Sequence, residues 1–235
     1  MRPKLPALSV PDLARIEGNT DEVAAHWIIN YFNEPGGTFN YARGMRSIKA
    51  SYNGLHNIEQ LKLACNLEKT EIGRRSNKEL VSVVAPEAFK RTTQVFDLPA
   101  KKFTFGHRQA GFRVPFFFVE GGIVKICFIW PRKGISLSSR QIGMIATILK
   151  NYLLDTEFFG LPTDIEFIEA SAPKGCKERS VDRLKLSEIE LWSETDLTDR
   201  LTLISNALTI AENSGKIKPK KRKAQDIAPD MPLFD

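Results

Sequence analysis

The sequence is poor in the residues that build the commonest catalytic and metal centres. It has three histidines, His26, His56 and His107, and none sits at ligand spacing from another. Its three cysteines, Cys65, Cys127 and Cys176, are widely spaced and form no CxxC pair. A disulfide framework and a zinc site are therefore not expected, and the thiols should be reduced. No HExxH occurs, and neither GxxxxGK[ST] nor GxGxxG is present to cradle a phosphate. The nucleophile elbow GxSxG is also missing. Kinase, dehydrogenase, hydrolase and zinc-protease readings thus lose their usual support. No apolar run reaches the roughly 18 residues of a transmembrane helix. The first residues, MRPKLPALSVPDLARIEG, contain no apolar signal-peptide core. A cytoplasmic protein is expected.

What is present is an ordinary globular composition with an uneven charge. Hydrophobic residues make up 42% of the 235 positions and charged residues 26%, enough for a core without staples. Residues 40–113 carry 14 basic and 6 acidic groups, whereas residues 114–215 carry 11 and 14. Six further cations fall within 216–223. The middle third and the tail are the segments suited to a polyanion. A solvated lysine-rich surface is the plain alternative for the middle third.

The chain begins with helical patterns. Residues 20–33 place Val23, Trp27 and Tyr31 at helical spacing, with Asn19 or Thr20 as cap and Pro35-Gly36-Gly37 as the stop. Asn57 and Gln60 have capping-box spacing before Ile58, Leu61 and Cys65. Ser76 and Glu79 repeat that signal before Leu80, Val83 and Val84, and Pro86 should end or kink the helix. The two helices do not fit a helix-turn-helix. The stretch between them is too long, and no glycine falls where the tight turn needs it.

The period then changes. Residues 112–119 form an aromatic run, Glu120-Gly121-Gly122 signals a hairpin, and residues 123–130 are apolar on both faces, as in a covered central strand. Ser138 and Gln141 open a helix bearing Ile142, Ile145, Leu149 and Tyr152. Residues 164–169 alternate like a strand with one wet face. Residues 172–190 read as loop with at most an edge strand. A last helix spans 196–212, with Thr195 as cap and Leu197, Leu201, Ile204 and Leu208 on one face. Helices followed by strands predict an α+β fold, with a mainly antiparallel sheet near 112–169 and a packed helix. One globular unit is expected over 1–213, helical to about 105 and sheet-containing from 106. A disordered basic tail is expected over 214–235.

One order of elements carries possible chemistry. Strand, hairpin, strand, helix and strand over about 112–169 resemble the core of PD-(D/E)XK nucleases. In that family carboxylates hold a divalent cation and a lysine helps position the attacking water. The resemblance implies Mg²⁺ as cofactor and Glu120, Lys125, Lys133 and Gln141 as candidate residues. The chain departs from the pattern in having no Glu-x-Lys or Asp-x-Lys triplet on the second strand, no Pro-Asp pair before the hairpin, and Glu120 in the turn. No cofactor is otherwise expected. Independently, Trp130-Pro131-Arg132-Lys133-Gly134 sets two cations at a strand end. Arg74 and Arg75 precede the expected cap at Ser76. Arginine offers a bidentate phosphate fork and lysine a point charge, so both pairs are candidate nucleic-acid contacts.

The tail reads SGKIKPKKRKAQDIAPDMPLFD. Ser214-Gly215 suits a helix C-cap and hinge. Lys218, Lys220, Lys221, Arg222 and Lys223 suit phosphate contact, and six cations supply a salt-dependent attraction. Pro219–Lys223 also resembles a classical nuclear import signal, which would apply in a eukaryotic cell. Asp230-Met231-Pro232-Leu233-Phe234 resembles the short peptides that dock on the bacterial sliding clamp. That resemblance implies Met231, Leu233 and Phe234 as partner-binding residues, with Asp230 in place of the usual Gln. The leading expectation is a non-enzymatic, nucleic-acid-associated accessory protein of DNA metabolism. The alternatives are a divalent-metal nuclease and a protein-interaction adaptor without a nucleic-acid role.

Overall fold

The computed structural model describes residues 5–35, 39–172, 175–176 and 178–218. The first half is mostly helical. A short strand β1 (Leu8–Ser9) runs into α1 (Val10–Ala14), and helices α2 (Asp21–Asn33), α3 (Ala42–Tyr52), α4 (Ile58–Ala64) and α5 (Glu71–Ala88) follow. Strands β2 (Gln94–Asp97), β3 (Lys102–Phe105), β4 (Arg108–Gly111), β5 (Phe116–Glu120) and β6 (Ile123–Trp130) come next. Helix α6 (Ser139–Leu149) continues through a π turn into the single turn α7 (Asp155–Glu157). Strands β7 (Thr163–Glu169) and β8 (Asp182–Lys185) precede the long helix α8 (Glu194–Asn213).

The fold is α+β. Its main sheet has the order β2-β5-β6-β7-β8 and is antiparallel except where β7 returns parallel to β6 through α6. Glu120-Gly121-Gly122 makes the hairpin as its glycines require, both at positive φ. The apolar character of both faces of β6 is explained by its central place. Cys127 and Ile129 point to a core with α3, α4 and α5, and Ile126, Phe128 and Trp130 to a core with α1, α2, α6 and α8. Phe116, Phe118, Phe128 and Phe167 are fully buried between these layers. Each contributes about 1.5–3 kcal/mol by leaving water.

Helix starts follow side-chain caps, each worth about 1 kcal/mol. The boxes Asn57/Gln60 and Ser138/Gln141 form as expected. Helix α5 starts earlier than its Ser76 signal predicts, because the Thr70 hydroxyl accepts from Gly73 N at 3.0 Å. Asn77 is instead buried, accepting from Gly44 N and donating to Asn40 O and Gly73 O. Arg74 and Arg75 therefore lie in the first turns of α5, not ahead of a capped terminus. Pro86 lies inside α5, and the helix ends two residues later at Ala88, close to the stop that Pro86 signals. The cap of α8 is Ser193, not Thr195. On α2 the buried face is Ala24, Ala25, Ile28 and Phe32, while Val23 is 56% exposed. Trp27 and Tyr31 stack on each other at its half-buried margin.

Strands also differ from expectation. β2 and β3 fall within the part expected to be helical. β3 and β4 join β1 in a separate three-stranded sheet. Strand β7 has no wet face: Glu166 and Glu169 are buried, Glu166 accepting from Arg91 and Glu169 from Leu137 N and the Ser171 hydroxyl. The tail leaves later than Ser214. Ser214 caps α8 and Gly215 turns the chain at positive φ, as expected. Asn33 then bonds Lys216 O and Lys218 N at 3.0 and 2.9 Å, and Ile217 packs on the core. Lys220, Lys221, Arg222, Lys223, Met231, Leu233 and Phe234 lie outside the described residues.

Candidate nucleic-acid interface

Parallel pairing brings the carboxyl ends of β6 and β7 to one edge of the sheet. The chain continues from Trp130 in extended form, and Lys133 bridges Ala172. Gly134 N donates to Ala172 O at 2.7 Å, and Gly134 takes positive φ to turn away. Because extended residues alternate in direction, the adjacent cations diverge. Lys133 pairs with Glu79 of α5. Arg132 goes to the opposite side, over the Trp130 ring at 5.2 Å and 3.4 Å from Asp12.

Beside Lys133 an open cleft of about 790 Å³ runs along α5. Positions 71, 74, 75, 78, 79 and 82 share one helical face, so Arg74, Arg75, Lys78 and Ser82 line one wall together. Lys62 and Asn66 form another wall, and Glu178 and Arg179 close the floor. The lining holds five cations against Glu71, Glu79 and Glu178. Arg74 and Arg75 are exposed. Arg179 is a structural member whose side chain is 1% exposed. Its fork donates to Pro131 O at 2.6 Å, to Ala170 O and to the Tyr41 hydroxyl, and it lies over the Tyr41 ring. It thus ties together the two strand ends and offers its charge from beneath. Glu79 is the centre of the cleft's charge pattern. Arg75 Nε stands 3.8 Å away and Arg179 Nε 4.0 Å away, and Lys133 completes the ring of cations. The sequence pairs Arg74/Arg75 and Lys133 are therefore brought together, while Arg132 is not. Lys78 and Arg179 were missed, because only their placement on the α5 face and under the strand ends gives them this role.

The residues suggested by the nuclease resemblance divide into two groups. Glu120 and Lys125 meet at 2.7 Å near the hairpin. Lys133 lies eight residues farther along the β6 direction, about 26 Å away. The Gln141 carbonyl is occupied in the α6 capping box. The elements β5, β6, α6 and β7 do follow the order that prompted the comparison, with β7 parallel to β6.

Around Glu120 the charges form a closed network. Arg91 grips both Glu120 oxygens at 2.6 and 2.7 Å and reaches Glu166 with its other nitrogen. Arg183 bonds Glu166 at 2.6 Å and Val84 O at 2.7 Å, and the buried Tyr52 hydroxyl also donates to Glu166. Asp164 faces this side beside Lys125, but its carboxylate accepts from Ile165 N and Leu186 N. The Arg91 hydrogen bonds, reinforced by Lys125 against the cost of burial, hold the Glu120 carboxyl at a pKa of about 2. The same bond to Glu120 pushes Arg91 up, and burial pushes Tyr52 and Cys127 up. Arg91, Arg183, Tyr52 and Glu166 were missed by sequence reasoning. The one available signal was the alternation of acidic residues Asp164 and Glu166 with Ile165 and Phe167.

Among the described residues no cluster of three or more His, Cys, Asp or Glu is placed to hold a metal ion. No described helix is long and apolar enough to cross a membrane. Cys65 and Cys127 are buried core residues, as expected, and Cys176 is exposed. No protein family matches the chain, and no curated protein matches it.

Proposed function

We propose that the protein is a nucleic-acid-associated accessory protein of DNA metabolism. The observation that carries this reading is the meeting of Arg74, Arg75 and Lys78 on one open cleft, with Lys133 brought to its edge by Glu79 at the carboxyl ends of two parallel strands. Guanidinium forks and ammonium groups on a helix face suit phosphate oxygens better than a small apolar ligand. The tail supplies a second cationic stretch, and its last residues supply a docking peptide for a partner such as a sliding clamp. Phosphate contacts and partner docking are separable on this reading. DNA binding by the full chain and by residues 1–218, at 50 and 200 mM salt, tests the cationic part. The full chain should bind more tightly and lose more affinity with salt. Equal and negligible binding by both removes the reading. Retention on a sliding clamp column should be lost in L233A/F234A and should survive nuclease treatment.

A divalent-metal nuclease is the second reading, favoured by the shared face of Glu120, Lys125, Asp164 and Glu166. Arg91 fills the space between Glu120 and Glu166 with its own charge, so a metal ion would have to displace it. Plasmid cleavage dependent on Mg²⁺ or Mn²⁺ and abolished by E120Q would select this reading over the first. Recovery of a protein partner with no nucleic-acid affinity in either form would select an adaptor.

A further inference from the structure

The divergence of Arg132 from Lys133 leads to a second charged site, on the other side of the strand end. We infer that Arg15, Arg113 and Arg132 form a site for a phosphate group, separate from the α5 cleft. Asp12 sits at its centre, 2% exposed. Three guanidiniums surround this single carboxylate, Arg132 at 3.4 Å, Arg15 at 3.7 Å and Arg113 at 4.0 Å. The closed network around Glu120 shows what a satisfied pair looks like here: an arginine there makes two bonds of 2.6 and 2.7 Å to one carboxylate. None of the three arginines around Asp12 approaches it in that way. Ser9 also donates to Asp12 Oδ2, and Arg132 makes one long hydrogen bond to Oδ1.

Positive charge is therefore in excess. Arg15 Nη1 is buried and has no hydrogen-bond partner among the described residues. Burial, followed by repulsion from Arg132, pulls the Arg15 pKa down, and Asp12, Tyr31 and Glu34 only partly offset this. The guanidiniums of Arg15 and Arg132 both pack on Trp130, 5.7 and 5.2 Å from its ring. Arg113 and Arg132 form the rim, 65% and 33% exposed, and Arg15 lies below them. Two accessible forks over a buried third cation suit the tetrahedral oxygens and charge of phosphate. The group is either the end of a phosphomonoester or a diester within a nucleic-acid backbone. The site does not depend on the cleft reading, because its residues lie on the opposite side.

Titration of the full chain with inorganic phosphate, against chloride at equal ionic strength, tests the site. Phosphate should bind the wild type, and should bind R113Q/R132Q at least tenfold more weakly. R113Q alone changes a largely exposed side chain and should fold, so it keeps the test decisive if the double variant does not. It should weaken phosphate binding at least threefold. Oligonucleotides with and without a 5′-phosphate then separate the two sources. An Arg113-dependent gain from the 5′-phosphate identifies a monoester site, and equal Arg113 dependence without it identifies a backbone site. Phosphate binding unchanged by R113Q, or no phosphate binding by the wild type, overturns the inference.

Discussion

Two charged regions occupy the same face of the main sheet and use the same residue types to opposite ends. Around Arg91 every carboxylate is matched: Glu120 by Arg91 and Lys125, Glu166 by Arg91, Arg183 and Tyr52. Around Glu79 one carboxylate faces Arg75, Lys133 and Arg179, while Arg74 and Lys78 lie farther along the same cleft. The first region is covered by α3 and α5 and gives rigidity. The second is open and has cationic donors to spare. The difference lies in how many donors each carboxylate must share and how much water reaches them, not in composition.

The largest expected effect falls on the closed region. R91A leaves Glu120 with Lys125 alone and Glu166 with Arg183 and Tyr52. Removing one member of a fully buried pair costs about 3–5 kcal/mol. These side chains are 10–26% exposed, so a loss of about 2–3 kcal/mol is expected in urea unfolding. An unchanged urea midpoint would show that the network adds nothing to stability.

Acid should expose the same region next. The Glu120 pKa lies below its ordinary value of 4.5, at about 2 in the folded protein. The folded state then binds fewer protons than the unfolded state between these values. Its stabilising contribution is complete above pH 4.5 and disappears as pH falls toward 2. E120Q should flatten the stability profile between pH 5 and pH 2.5. A profile as steep as the wild type's would place the acid sensitivity elsewhere.

The smallest effect belongs to the open region. Glu79 occupies the space between cations where a phosphate oxygen would sit. E79Q should raise nucleic-acid affinity by up to roughly fivefold, the value of one exposed ion pair. Lower affinity in E79Q would mean that Glu79 orders the cleft rather than competes for it.

The comparison also explains what was legible from the residues alone. The hairpin at Gly121-Gly122, the covered strand β6 and the two capping boxes depend on neighbours within a few positions. Those features could be read directly. β2 and β3 are four residues long, too short for periodicity to speak. On α2, which packs on α8, the buried face includes the small residues Ala24 and Ala25, and a stripe drawn through the large residues picks the wrong face. The start of α5 was missed because two cap signals compete, and the burial of Asn77 against Gly44 favours Thr70. In the sites, Arg74, Arg75 and Lys133 were individually visible as cations, but their meeting depends on α5 crossing the strand end. Arg91 and Glu166 are 75 residues apart, and no local pattern joins them. Arg132 and Lys133 were read as one pair, although alternation along an extended chain sends neighbours apart.

The central claim is that the open cleft, and not the closed network, binds nucleic acid. The most direct test is the slope of log affinity for duplex DNA against log salt, for the wild type and for R74E/R75E. Loss of two phosphate contacts should reduce the slope by about 1.8 and weaken binding at least tenfold, with the urea midpoint unchanged. A variant with the wild-type slope and affinity would contradict the claim.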